Sequence, residues 1–187
     1  MTVALIFSIV TGILLIGLLS DTHIAFPYEA LPPQVKDVFR GVDLILHAGD
    51  IWISKVLDEL EAIAPVKAAW GDDDMDADLG GDARMMAGHI LQLDGIKLWL
   101  THIKPSYGRI SPEGQSYPFK LKPQEPVDTP DIVIFGHTHF ANVENYKDVL
   151  LVNPGSVTFP SYVPKLGTVG LLTLNPGKID IRIVQLE

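Results

Sequence analysis

Asp131-Ile132-Val133-Ile134-Phe135-Gly136-His137-Thr138-His139 is the stretch from which the fold of this chain is read. Ile132 to Phe135 form a short apolar, β-prone run, the mark of a buried strand. Gly136 frees the backbone to turn where that strand ends. His137 and His139 follow with one residue between them, so both imidazoles can face one centre. Neutral imidazole nitrogens suit Zn, Mn, Fe, Co or Ni. By themselves these are equally two surface histidines at a strand end. The rest of the chain decides, because it holds several more strand ends of this kind.

With 187 residues and 47% of them apolar, the chain is long enough for one globular domain, read here as residues 1–187. It has no cysteine, which excludes disulfides and thiolate metal sites. The net charge of -9 argues against a broad nucleic-acid surface or a basic membrane-binding face. It leaves phosphate substrates open, because bound cations reverse the local field. Met1 to Ser20 carry no charge. There is no Lys or Arg before the apolar run, so a signal peptide lacks its charged start. Leu14 to Leu19 lead into Ser20-Asp21-Thr22-His23 and read as a central strand, leaving too few residues upstream to span a bilayer. The expectation is a cytoplasmic protein without a membrane segment, with Thr2 to Thr11 as an added strand or a homo-oligomer contact.

Outward from this core, Pro32-Pro33 opens a helix through about Arg40, with Val35, Val38 and Phe39 as its apolar stripe and Gly41 past its end. Val42 to His47 is a second strand, ending in Ala48-Gly49-Asp50. Ser54 can cap a second helix carrying Val56, Leu57, Leu60 and Ile63 on one face. Val66 to Trp70 is a third strand, ending in Gly71-Asp72-Asp73-Asp74. His89 to Leu93 and Ile96 to Leu100 form a hairpin around Asp94-Gly95, and its second arm ends in Thr101-His102. Pro105, Pro112, Pro118, Pro123, Pro126 and Pro130 predict a long irregular loop, with Lys104, Arg109, Lys120, Lys122, Tyr107 and Tyr117 as its polar and stacking residues. Strands at Val143–Tyr146, Val149–Val152, Val169–Leu174 and Ile179–Val184 complete the chain.

Strand-helix-strand units open the chain and mostly antiparallel strands close it. In α/β folds with parallel strands, ligands gather beyond the carboxyl ends of the strands. Five such ends here supply Asp21, His23, Asp50, Asp72, His102, His137 and His139. That set of nitrogen and oxygen donors suits two metal ions about 3.5–4 Å apart with one carboxylate between them.

The ordered motifs Asp-x-His, Gly-Asp, Gly-Asp-x-Asp, Thr-His, Gly-His-Thr-His and Asn153-Pro154-Gly155-Ser156 resemble those of the calcineurin-like metallophosphoesterase superfamily, and most closely its small YfcE-type phosphodiesterases. The resemblance covers Asp21 to Ser156. It implies an αββα sandwich: four layers, with two mixed β-sheets flanked by helices. It implies two divalent ions, manganese first, with nickel, cobalt, iron and zinc as alternatives. One ion would take Asp21, His23 and His139, the other Asp72, His102 and His137, with Asp50 bridging. The implied activity is metal-dependent hydrolysis of a small phosphate ester, most simply a phosphodiester, with Asp50, Asp72 and His102 at the chemistry. A phosphomonoesterase or nucleotide phosphatase with the same site is the alternative. So is a weakly active scaffold of the kind found in the retromer.

The sequence departs from the family pattern at three places. Asp72 stands where the family has Asn. Ile103-Lys104 stands where it has Gly-His. The proline-rich loop replaces a helix of related small members. Lys104 is a candidate for binding the substrate phosphate, as a point charge on a flexible stem. Asp73 occupies the position of the family's general-acid His, so a leaving group needing little protonation, such as an aryl or nucleotide oxygen, suits this chain. Among the remaining polar residues, His47 reads as packing behind a strand end and His89 as a surface residue. Asp74 reads as a turn cap or as a residue that orients a neighbour, and Asp73, Asp76, Asp78 and Asp82 as a solvated acidic loop. Asn153 reads as a turn residue and Trp70 as core.

Overall fold

The computed structural model describes residues 12–24, 30–74, 79–105 and 129–187. The upstream piece Thr2–Thr11, Asp76, Asp78 and the loop residues Tyr107, Arg109, Tyr117, Lys120 and Lys122 lie outside the described residues.

Alternation in the apolar runs builds the architecture. In β1 (Leu14–Leu19), Leu14, Ile16 and Leu18 face one core, while Leu15 and Leu19 face another. A strand with apolar residues on both faces must be covered on both. On its first face β1 meets a second sheet. On the other it meets α1 (Pro33–Val38) and α2 (Ser54–Glu61), through Val35, Phe39, Val56, Leu57 and Leu60. Phe39 lies against β1 where Gly17 has no side chain: a Cβ there would come within 3.0 Å of the ring.

The first sheet runs β11-β10-β1-β2-β3-β4, where β2 is Leu44–His47, β3 Val66–Ala69, β4 Met85–Met86, β10 Thr168–Asn175 and β11 Lys178–Gln185. β1 to β4 are mutually parallel, and β10 and β11 are antiparallel additions. The second sheet runs β5-β6-β7-β9-β8, with β5 His89–Leu93, β6 Ile96–Leu100, β7 Ile132–Ile134, β8 Asn142–Tyr146 and β9 Val149–Asn153. Here β6, β7 and β9 are parallel. Asp94 and Gly95 join β5 to β6 with φ of 46° and 82°, the left-handed pair a tight hairpin needs. Leu98, Leu100, Ile132, Ile134 and Val152 interleave with Ile16, Leu18, Leu46 and Leu172 between the sheets. Trp99, Val133, Phe135, Val149 and Leu151 form a third buried cluster on the other face of the second sheet.

The two mixed sheets, with helices on the outer face of the first, are the sandwich the motifs imply. Four details differ from the sequence reading. Ser54 is the first helical residue of α2 and makes no capping bond; Ile53 sits at the cap position. Met85–Met86 adds a strand too short to announce itself by periodicity. Trp70 is half-buried rather than central. His89 is buried, its Nε2 2.9 Å from the carbonyl of Ala68, because β5 begins against β3. No helix among the described residues is long and apolar enough to cross a membrane.

Candidate metal centre

The parallel strands of both sheets end at one edge of the sandwich, and their exits cross-link. The Asp21 amide donates to the Gly49 carbonyl at 2.9 Å, and the His23 amide to the Asp50 carbonyl at 3.1 Å. The Gly136 amide donates to the His102 carbonyl at 2.8 Å, and the His137 amide to Asp21 Oδ1 at 3.0 Å. Ser20 Oγ donates to the Gly155 carbonyl and Ser156 Oγ to the Asp21 carbonyl, tying the turn after β9 to the exit of β1. Asn153 holds that same turn: its amide group donates to the Gly136 carbonyl and Thr138 Oγ1, and its oxygen accepts from Gly155. Asp21, His23, Asp50, His137 and His139 all have positive φ, between 41° and 68°. Left-handed backbone costs a non-glycine residue on the order of 1 kcal/mol or more, and it concentrates where a site over-determines it.

One carboxylate sets the position of Asp50. Asp74 is fully buried and accepts backbone amides from Asp50 (3.0 Å), Ile51 (2.6 Å), Trp52 (2.9 Å) and Gly71 (2.8 Å). It joins the turn after β2 to the turn after β3. Gly71 is obligatory there, since a Cβ would lie 2.0 Å from Asp50 Oδ1. The Asp73 amide holds that same Oδ1 at 2.9 Å. Oδ2 of Asp50 is thereby turned inward, 3.6 Å from His23 Nε2 and 3.3 Å from His102 Nε2.

The seven residues singled out from the sequence come together as two groups. Asp21, His23, Asp50 and His139 offer donor atoms within 4.8 Å of one another, and so do Asp72, His102 and His137. The chemistry of these donors fits divalent metal. His102 Nδ1 is 2.6 Å from the Ala48 carbonyl and His139 Nδ1 2.8 Å from the Phe159 carbonyl. A carbonyl only accepts, so both Nδ1 atoms carry a proton, which leaves each Nε2 facing the cluster as the atom to bind a metal. His23 Nε2 and His139 Nε2 converge to 3.1 Å. Asp72 Oδ1 lies 2.7 Å from His102 Nε2 and 2.9 Å from His137 Nδ1. The His102 contact is short but out of line for a hydrogen bond, so this buried nitrogen has no aligned partner, and neither has Asp21 Oδ2.

The electrostatics point the same way. Burial pushes the Asp21 carboxyl up and the His23 imidazole down. Burial also disfavours charge on His102, yet the carboxylates of Asp50 and Asp72 more than reverse this and hold it well above the usual range. Contacts with His102 and His137 hold Asp72 far below the usual carboxylate range, and Asp72 in turn raises His137. The carboxylates therefore call for positive charge at the centre, which protons on the histidines supply when no cation does.

The calcineurin-like phosphoesterase superfamily domain matches residues 14–177. The chain belongs to this superfamily. A probable metallophosphoesterase of Methanothermobacter thermautotrophicus is 33% identical over 172 residues, covering 92% of either chain. A phosphodiesterase of Methanocaldococcus jannaschii is 27% identical over 186 residues, covering 92% of this chain and 99% of its own. Among solved structures, vacuolar protein sorting 29 from Cryptosporidium parvum has the same fold, with a TM-score of 0.64 at 19% identity over 92% of this chain and 97% of that one. The superfamily is a metal-dependent phosphoester-hydrolase family, and both donor groups lie within the matched residues.

The positions where the chain departs from the superfamily pattern have their own places. Asp73 is exposed, with Oδ2 4.0 Å from His23 Nδ1. The Lys104 ammonium pairs with Glu144 of β8 and lies 5.6 Å from the centre of the Phe135 ring. Asp82 is bound by Arg84 rather than solvated, with Arg84 Nη2 2.6 Å from Oδ2 and Nε 2.9 Å from Oδ1. His47 lies fully buried behind the centre. Its Nδ1 accepts the Gly49 amide at 3.2 Å, so Nε2–H donates to Thr22 Oγ1 at 3.2 Å. The wide reach of Asp74 is what sequence reading missed. It gives Asp74 a turn to cap or a neighbour to orient, but not that three of the four amides come from another strand's exit.

Replacing Asp74 with Ala should strip these amides of their acceptor and lower stability by about 3 kcal/mol or more, taking a buried unsatisfied group at about 1–3 kcal/mol. An unchanged urea midpoint would contradict this. Burial pushes the His47 imidazole down to about 3, against an ordinary value of 6.5. Its contribution to stability is therefore complete above pH 6.5 and lost as pH falls from 6.5 toward about 3, by about 1.4 kcal/mol per pH unit. His47→Gln should remove this part of the pH dependence, measured as the difference between the two urea-unfolding profiles.

Proposed function

We propose that this protein is a phosphodiesterase working through two divalent ions that share Asp50. The observation that carries the reading is Asp50 Oδ2, aimed between His23 and His102 and so between the two donor groups. Asp21, His23 and His139 would complete one site and Asp72, His102 and His137 the other. Bound there, the ions would neutralise the phosphoryl oxygens and acidify water at the site.

The chain's own residues supply the rest. The Ala48 and Phe159 carbonyls fix the protonation pattern of His102 and His139, so the ligand nitrogens need no rearrangement. The first group is largely buried, whereas in the second Asp72 is half-buried and His137 exposed. A phosphate ester would therefore approach from the second group's side. With a carboxylate at position 73, a good leaving group such as an aryl or nucleotide oxygen is favoured. The identity with the named phosphodiesterase supports a diester over a monoester.

Asp50→Asn tests the reading. A carboxylate neutralises two cations at once, and an amide does neither. The variant should lose hydrolysis of bis(4-nitrophenyl) phosphate and bind both ions more weakly in a metal titration. Metal affinity of the native protein should also fall as pH drops, beginning above pH 6.5, because ions compete with a proton on His102 whose affinity is raised. Near-native turnover with two ions bound would remove Asp50 as the bridge. Two bound ions with no hydrolysis of any diester or monoester would leave a scaffold.

A further inference from the structure

Beside the centre lies an aromatic corner that the metal chemistry does not use. Tyr162 stacks on the imidazole of His139, with ring centres 4.4 Å apart and planes 22° apart. Its side chain is 57% exposed, so its other face is open to solvent. Phe140, which follows His139 directly, is 54% exposed and meets Tyr162 at 6.5 Å and 71°. Phe159 closes the corner from within, at 90° to Tyr162. Val163, 50% exposed, follows Tyr162. Ser161 and Tyr162 both have positive φ, 55° and 58°. Two adjacent left-handed residues carry a backbone cost that the surrounding fold maintains at this corner. The Tyr162 hydroxyl reaches the His137 carbonyl at only 3.5 Å, too weak a bond to account for the placement.

The geometry points to Tyr162 and Phe140 as a stacking platform for a planar aromatic group of the substrate, an aryl ester or a nucleobase. This rests on the phosphoesterase reading and specifies its substrate class. The ring of Tyr162 covers the face of a candidate metal ligand, so a group stacked on its outer side lies one ring beyond His139, beside the centre. A chain of net charge -9 gains little long-range attraction for an anion. Apolar contact with the non-reacting part of the ester is then a main source of selectivity. Base–aromatic stacking is sequence-tolerant, since every base has a π-face. The platform would select for an aromatic ring rather than for one particular base.

The test compares AMP with ribose 5-phosphate, which differ only by the base, in calorimetric titrations of Mn²⁺-loaded protein. AMP should bind about tenfold tighter or more, the fold-change that corresponds to stacking on one ring. Tyr162→Ala should bring the ratio close to one, and Tyr162→Phe should keep it. Because Tyr162 touches His139, metal content is measured for each variant. Phe140→Ala, whose described ring contact is with Tyr162 alone, should lower the ratio with metal content unchanged. A native ratio near one overturns the platform, as does a ratio unchanged in both alanine variants. Hydrolysis of bis(4-nitrophenyl) phosphate by the same native sample separates the two ideas. Its absence would sink the phosphoesterase reading, while the binding ratio still decides the platform.

Discussion

The Asp74 carboxylate turns two separate strand exits into one rigid surface. Hydrogen bonds from the amides of Asp50, Ile51, Trp52 and Gly71 converge on it in a fully buried position. Burial raises the pKa of this carboxyl, so its charge carries a solvation cost that the amides offset. The same bonds fix the direction of Asp50. Its Oδ1 is used up by the Asp73 amide, and its Oδ2 is left facing both donor groups. Glycine at 49 and 71 is part of the same constraint, because a side chain at either would collide with His102 or Asp50.

The centre that results is costly to fold and well organised to receive cations. Carboxylates and imidazoles are packed together with few other polar partners, and most of their backbones lie in a left-handed conformation. The compensation comes from outside the cluster. Ala48 and Phe159 carbonyls orient two rings, serine hydroxyls and Asn153 bind the loops to one another, and the apolar core between the sheets fixes where every strand ends. Such strain at one edge, balanced by packing elsewhere, is the usual physical cost of a preorganised site.

Much of this was readable in the sequence. Short apolar runs mark ten of the eleven described strands, because Leu14–Leu19 or Ile132–Ile134 has few other ways to bury both faces. The seven donors were visible because each follows such a run. The elements that escaped notice are those whose partners lie far along the chain. His89 looks polar and exposed until β5 is placed beside β3, where the Ala68 carbonyl meets it. Asp82 looks like one acid among several until Arg84 folds back on it. Ser54 has the right chemistry for a cap, but the helix starts on it rather than after it. Tyr162 sits in a stretch without periodicity, and only the fold brings it against His139.

The two donor groups are unequal, one buried and the other opening outward through Asp72 and His137. Asp72 draws the second group together through His102 and His137. The central claim is that these groups hold ions as a pair, joined by Asp50, and not as independent sites. Electron paramagnetic resonance of the protein titrated with Mn²⁺ addresses it directly. Two ions sharing a carboxylate are exchange-coupled, so the spectrum should pass from that of isolated ions to that of a coupled pair as the second equivalent binds. A spectrum of isolated Mn²⁺ that only grows in intensity up to saturation would contradict the shared centre.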